Sequence, residues 1–317
     1  MASRLWVHDG VRRWATPPAR AEPHPSLPDC ALLRWDVNGM ARSLTLASST
    51  SGVRLCDLAF SPGPSPPHAC MSGVDVVFAI SSAPGEEALR AAARETWLRD
   101  AEHAARGWRL RSCHMFFVGS PPGRPAPPDA DSADMVAYSS ADSYDALLAK
   151  TLFMLATALG ARPRLVAKLD SDTFVDIGRL ARLLDSGDVP PRGLYLGYMW
   201  SKSVVFHDDR AKNFEPSLPH ASVYPPYMSG SGYILSADVA ELVLRRASDS
   251  LWLRNEDSAV GLWLFKEPGL TWVHSPHFLY DGQHGMCDKE AVFVHRSTAA
   301  RMREYASRLS SKGHVCK

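Results

Sequence analysis

An apolar run, Leu165, Val166 and Ala167, passes through Lys168 and Leu169 into Asp170, Ser171 and Asp172, placing two carboxylates one residue apart. In extended backbone, residues i and i+2 point the same way, so both carboxylates can face one hard cation and leave its other positions to phosphate oxygens. Oxygen donors suit magnesium or manganese better than zinc. Asp-x-Asp also occurs in solvated loops and helix caps; here its place at the end of a strand-like run, ahead of Phe174 and a helical pattern, favours a metal. A second pair, Arg90 and Arg94, stands at i, i+4, and two guanidinium forks on one helix face suit phosphate oxygens. The bland alternative is a solvated face shared with Glu86 and Glu87, whereas Trp97 reads as core in either case.

Residues 224–236 form a turn-rich aromatic segment that runs into a helical pattern from Ala237. Gly230 and Gly232 would let backbone approach a ligand, and Tyr224 and Tyr227 offer flat faces to a sugar ring. A proline-bracketed structural turn explains these residues equally well. Asn255, Glu256 and Asp257 open a helical pattern over 259–265. Carboxylates are expected there for capping and for the macrodipole, yet a rigidly held general base would occupy the same place. His295 closes the apolar run Val292, Phe293 and Val294, where an imidazole is more often a satisfied core group than a ligand.

These residues need elements to position them. The periodicities predict strands over 74–80, 114–118, 165–169 and 194–198, with helices over 86–98, 144–159 and 177–184 between them. Strands alternating with helices give an α/β fold with a doubly wound, mostly parallel sheet flanked by helices, whose ligands bind where strands end. Residues 1–72 hold nine of the 24 prolines and read as an N-terminal extension and linker, with a strand pair over 32–46. A single catalytic domain is expected over 73–317.

Composition bounds the function. Lysine plus arginine number 35 against 34 for aspartate plus glutamate, so no basic field exists to hold nucleic acid, and any anionic ligand must be gripped locally. Six cysteines without zinc spacing permit disulfides but dictate no pairing. No run approaches the roughly 18 apolar residues of a membrane span, and the first thirty residues lack a signal-peptide core.

Seven blocks occur in order: residues 80–84; Arg90 with residues 94–97; Asp142 and Tyr144 with Lys150; residues 168–172; residues 224–227 with 230–238; residues 255–257 with Gly261; and Val294 with His295. Together they resemble glycosyltransferase family 31, the β-1,3-glycosyltransferases, over about three quarters of the chain. The resemblance implies a GT-A fold and an inverting, manganese-dependent transfer of a hexose, galactose first, from a UDP-sugar to a glycan or glycoprotein acceptor. It implies Asp172, Asp170 and His295 as metal ligands and Asp257 as base. The nucleotide sugar would meet Ser81, Ser82, Ala83, Pro84, Arg90, Arg94, Asp142, Lys150, Lys168, Asp170 and Ser171, and the substrate side would hold Tyr224, Tyr227, Gly230, Gly232 and Glu256. Ser171 stands where the family usually has a third carboxylate, Ser258 where it has valine, and Lys212, Asn213 and Phe214 only approximate its basic-tryptophan element. Residence in the Golgi lumen is implied too, with membrane attachment only through an anchor not present in this chain. A β-1,3-N-acetylglucosaminyltransferase, an inactive glycan-binding scaffold and a nucleotide-sugar hydrolase or pyrophosphatase remain alternatives.

Overall fold

The computed structural model describes residue 70 and residues 73–101, 110–119, 126–138, 142–248, 250–278 and 288–317 with their side chains, and the backbone alone of residues 102–104 and 279 and of the strands before residue 61. Those early strands are β1 (Trp6–His8), β2 (Arg13–Ala15), β3 (Arg20–Pro23), β4 (Cys30–Val37), β5 (Met40–Ser49) and β6 (Gly52–Phe60). The strand pair expected over 32–46 is the antiparallel β4–β5 hairpin, in which Leu33 pairs with Leu44. The proline-rich stretch 61–67 lies outside the described residues.

Beyond it runs β7 (Val76–Ser82), α1 (Glu87–Glu95), α2 (Trp97–Ala104), β8 (Ser112–Gly119), β9 (Met135–Tyr138), α3 (Leu147–Leu159), β10 (Leu165–Asp170), β11 (Phe174–Val175), α4 (Ile177–Asp185), β12 (Leu194–Trp200), β13 (Tyr227–Ser236), α5 (Ala237–Arg246), α6 (Glu256–Leu264), β14 (Thr271–His274), β15 (Phe278–Leu279), β16 (Phe293–Val294) and α7 (Ala299–Lys312). Seven strands form one sheet in the order β14-β12-β13-β10-β7-β8-β9, parallel except where β13 runs against both its neighbours. The expected doubly wound, mostly parallel sheet is therefore present, with one reversed strand, β13, in its interior.

The sheet is buried on both faces, which is why β7 and β10 read as continuous apolar runs. Val77, Ala79 and Val166 enter one core with α3, α5 and α6; Val76, Phe78, Ile80, Ala167 and Leu169 enter the other with α1, α4 and α7. Two departures from expectation matter for the site. The helix expected over 86–98 is divided at Thr96, whose backbone leaves the helical region (φ −117°, ψ −107°), so Trp97 begins α2 and packs edge-on against Phe78 in the core. Residues 227–236, read as turn-rich, are instead the long strand β13. Its glycines replace side chains that crossing neighbours would strike, so they signal close packing and not a turn.

Two small features finish the frame. A second sheet, β11-β16-β15, pairs Phe174 with Val294 and so carries residue 295 to the end of β10. A disulfide joins Cys70 to Cys113 on β8, and Cys316 is disulfide-bonded as well. Among the described residues no helix is long and apolar enough to cross a membrane.

Candidate active site

Strand β10 ends at Asp170, and a turn closed by Thr173 N–H donating to Asp170 O (3.0 Å) presents Asp172. The two carboxylates therefore converge through a turn and not through continued extended backbone, which stops one residue too early. With His295 they offer ligand atoms within 4.8 Å of one another. His295 Nδ1 lies 3.0 Å from Asp172 Oδ1 and 3.2 Å from Thr173 Oγ1, whose hydroxyl donates to Ser231 O at 2.8 Å. Nδ1 is thus the ring nitrogen turned toward the acidic turn, and in the tautomer that leaves it unprotonated its lone pair stands beside the two carboxylates. Asp172 Oδ1 is buried without an aligned hydrogen-bond donor, an oxygen that a cation would satisfy. Two carboxylates and an imidazole fit manganese, which prefers oxygen and tolerates nitrogen.

Lys168 holds this strand end to the next element. Its buried ammonium donates to Asp170 Oδ1 (3.0 Å) and Gly230 O (2.6 Å) and lies 3.4 Å from Glu256 Oε2. Burial alone would lower its pKa, but Asp170 and Glu256 outweigh that and raise it, so it stays charged. Glu256 faces inward and accepts the Tyr233 hydroxyl at 2.7 Å. Asp257, one residue on, is partly exposed and accepts Gly230 N–H on Oδ2 (2.9 Å) and Ser258 N–H on Oδ1 (2.8 Å). Burial pushes both carboxyl pKa values up, against the opposing pull of Lys168. Glu256 is thus a buried tie between β13 and β10, and Asp257 is the carboxylate with access to a ligand.

The start of α6 is braced from outside the sheet. Asn255, its N-cap, receives the Tyr144 hydroxyl and donates to Tyr224 Oη at 2.9 Å. Glu215, fully buried, accepts the backbone N–H groups of Arg254 (2.7 Å) and Asn255 (3.2 Å). Tyr224 is only 5% exposed, so it is a strut for α6 and not the sugar platform its type suggests. Tyr227 is half-buried, packs edge-on against Tyr224 and donates to Ser203 Oγ at 2.9 Å. Gly232 is a packing glycine as well: a Cβ there would lie 2.7 Å from the Phe293 ring and 2.8 Å from Leu169. Gly230 does face the site, since its Cβ would meet Asp257 Oδ2 at 3.1 Å and Glu256 Oε2 at 3.3 Å.

The arginines do something other than the spacing suggests. Arg90 is fully buried and donates to Asp129 Oδ2 (2.8 Å), Asp129 Oδ1 (2.6 Å), Ser82 Oγ (3.0 Å), Ala83 O (2.7 Å) and Pro84 O (3.4 Å). All five of its N–H groups are thereby engaged, leaving none for a phosphate. Arg94 is bidentate to Asp134 and donates to Asp129 at 2.9 Å. The Arg90 hydrogen bond, with help from Arg94, holds the Asp129 carboxyl down to about 2. Arg90 therefore fixes the 81–84 loop instead of gripping a ligand, and Arg94, a quarter exposed, buttresses it through the shared Asp129. Lys150 does the same from the other side: its ammonium pairs with Asp142 and donates to Ser82 O at 2.8 Å, while Asp142 accepts Gly119 N–H at 2.6 Å. Ser81 O accepts the N–H of Ser171 at 2.9 Å, joining the loop to the acidic turn.

Asp129, Asp134, Glu215 and Tyr233 carry no local signal in the sequence, because their partners are tens of residues away. Glu86 does: it sits three residues after Ala83, and its carboxylate returns to Ala83 N–H at 2.7 Å, the acidic half of a capping box.

A profile described as galactosyltransferase matches residues 88–270. Beta-1,3-galactosyltransferase 1 of Homo sapiens is 30% identical over 258 residues, covering 78% of each chain. N-acetyllactosaminide beta-1,3-N-acetylglucosaminyltransferase 4 of Homo sapiens is 27% identical over 272 residues, 79% of this chain and 69% of its own. A solved glycosyltransferase involved in glycosylation of the major capsid of PBCV-1 superposes with a TM-score of 0.41 at 16% identity over 74% of this chain and 99% of its own, and nothing is inferred from that overlap.

Proposed function

The chain belongs to the galactosyltransferase family, and on that premise we propose that it is an inverting β-1,3-glycosyltransferase moving galactose from UDP-galactose to a hydroxyl of a glycan acceptor. One observation carries the reading: Asp170, Asp172 and His295 converge within 4.8 Å at the end of β10, and Lys168 and Gly230 tie that cluster to Asp257. Asp170, Asp172 and His295 would hold manganese, which when bound supplies neutralisation of the charge growing on the departing diphosphate.

The remaining work falls to the chain's own groups. The 81–84 loop, fixed by Arg90 and Lys150, offers a rigid wall for the nucleotide. Asp257 takes the proton of the acceptor hydroxyl as that oxygen bonds the anomeric carbon and the bond to the UDP oxygen breaks on the opposite face. One displacement inverts the centre, and base assistance of this kind is typically worth about 10²–10⁴-fold. Each Asp257 oxygen accepts a backbone N–H, which fixes the carboxylate while a second lone pair remains for the proton.

Within the family the sequence blocks resemble in particular the galactosylxylosylprotein β-1,3-galactosyltransferase, so the second galactose of the glycosaminoglycan linkage region is the transfer we assign first. The N-acetylglucosaminyltransferase relative keeps UDP-N-acetylglucosamine as the second reading. The Cys70–Cys113 disulfide supports an oxidising compartment such as the Golgi lumen. The deciding experiment measures UDP release from UDP-galactose, UDP-N-acetylglucosamine and UDP-N-acetylgalactosamine with galactosyl and xylosyl acceptors, in manganese and in EDTA. Manganese-dependent release from UDP-galactose with a galactosyl acceptor is expected. Acceptor-independent release would point to a hydrolase instead, and full turnover in EDTA would remove the metal from the reading.

A further inference from the structure

The acidic turn has a serine at its centre, and that serine is not idle. Ser171 is 4% exposed, and its hydroxyl donates to Glu86 Oε2 at 2.7 Å. Two more donors converge on the same oxygen, Ala83 N–H at 2.7 Å and the Ser82 hydroxyl at 3.2 Å. Oε1 accepts no hydrogen bond among the described residues, although Glu86 is half-buried. Lys150, whose pKa burial lowers, feels the opposing charges of Asp142, Glu86 and Asp170 together, so Glu86 lies in the same electrostatic field as the metal-binding carboxylate.

From this geometry we infer that Glu86 is the third carboxylate of the acidic turn, delivered through space by the loop after β7 and docked on Ser171. The inference rests on the proposed reading of the site as one for a metal-bound nucleotide diphosphate sugar. Three donors on one oxygen fix the carboxylate and leave the other oxygen for that ligand, either for a hydroxyl of the nucleotide sugar or for water around the cation. A merely structural cap needs one acceptor bond to Ala83 N–H. The contact from Ser171, in the turn after β10 and 85 residues away, adds nothing to capping and ties the charge to the triplet position. The role is a charge moved between elements: a carboxylate at residue 171 would meet Glu86 head-on, and only one of the two can be accommodated.

A charge-exchange cycle tests it with Glu86→Gln, Ser171→Asp and the double variant, each first confirmed folded by thermal unfolding. The readouts are manganese affinity by calorimetry without donor, and KM for the UDP-sugar against kcat. We expect Glu86→Gln to weaken manganese affinity or raise the donor KM by about tenfold, with Ser171→Asp impaired by like-charge repulsion. In the double variant the carboxylate returns to the triplet, and affinity should recover to within about threefold of wild type, a coupling that non-interacting sites do not show. If Glu86→Gln leaves both parameters unchanged, or the double variant is no better than the worse single one, the inference is overturned. Wild-type protein that binds no manganese would instead bring down the reading of the site, and the inference with it.

Discussion

Glu256 and Asp257 are neighbours with opposite surroundings, and the difference predicts separable phenotypes. Asp257→Asn keeps shape but cannot take a proton, so turnover should fall by about 10²-fold or more while calorimetric UDP affinity stays near wild type. Glu256→Gln removes the buried partner of Lys168 and Tyr233; it should cost about 3 kcal/mol of stability, read as a lowered denaturant midpoint, and less turnover than Asp257→Asn. Should Glu256→Gln be the inactive variant, the roles are reversed. Because burial raises the Asp257 pKa, its basic form is lost at higher pH than for an ordinary aspartate. The acid limb of kcat should therefore lie above the usual carboxylate range and vanish in Asp257→Asn. For stability the sign is opposite: the folded state binds this proton more tightly than the unfolded one, so ionising Asp257 as pH rises costs stability. His295→Ala should weaken manganese affinity with little change in melting temperature, since its ring meets the polar groups of Asp172 and Thr173 at the site. A variant that melts early but binds manganese normally would make His295 a packing residue. These residue types were legible in the sequence because their chemistry and order are local. Their partners were not: Arg90 and Arg94 look like a phosphate clamp until Asp129 and Asp134, far along the chain, are folded onto them.

At the level of elements, the site depends on how closely α6 lies on β13. A Cβ on Gly261 would stand 2.2 Å from Tyr227 Cβ and 2.8 Å from Pro226 O, so no side-chain rotation relieves it. Gly261→Ala should therefore push α6 outward, costing about 1–3 kcal/mol as overpacking does and lowering turnover more than donor affinity, because Asp257 travels with the helix. Turnover within about twofold of wild type would show that the helix start is held by Asn255 and Glu215 regardless of this contact. The alternation of strands and helices was legible because a sheet buried on both faces writes its strands as short apolar runs between polar turns. The reversed strand β13 was not, since Gly230 and Gly232 mimic turn residues and their true reason, the side chains of Asp257, Phe293 and Leu169, comes from other elements. The break at Thr96 was hidden for a similar reason: the apolar spacing continues through Trp97 across the change of axis.

For the whole molecule, the Cys70–Cys113 bond closes a loop of 43 residues across the start of the sheet. Cross-links of that span contribute about 4 kcal/mol by restricting the unfolded chain. Cys70→Ser should lower the denaturant midpoint without altering manganese affinity, since the bond lies on the side of β8 away from the strand ends. An unchanged midpoint would mean the unfolded chain is already restricted there. The pairing of β16 with β11, which delivers His295, joins Phe174 to Val294 across most of the second half of the chain. During synthesis the 81–84 loop, the acidic turn and then Asp257 emerge first, and His295 follows them by nearly forty residues. On the proposed reading, a nascent or C-terminally shortened chain would hold the donor wall and the base while lacking the third metal ligand, so the order of translation itself would keep an unfinished enzyme silent.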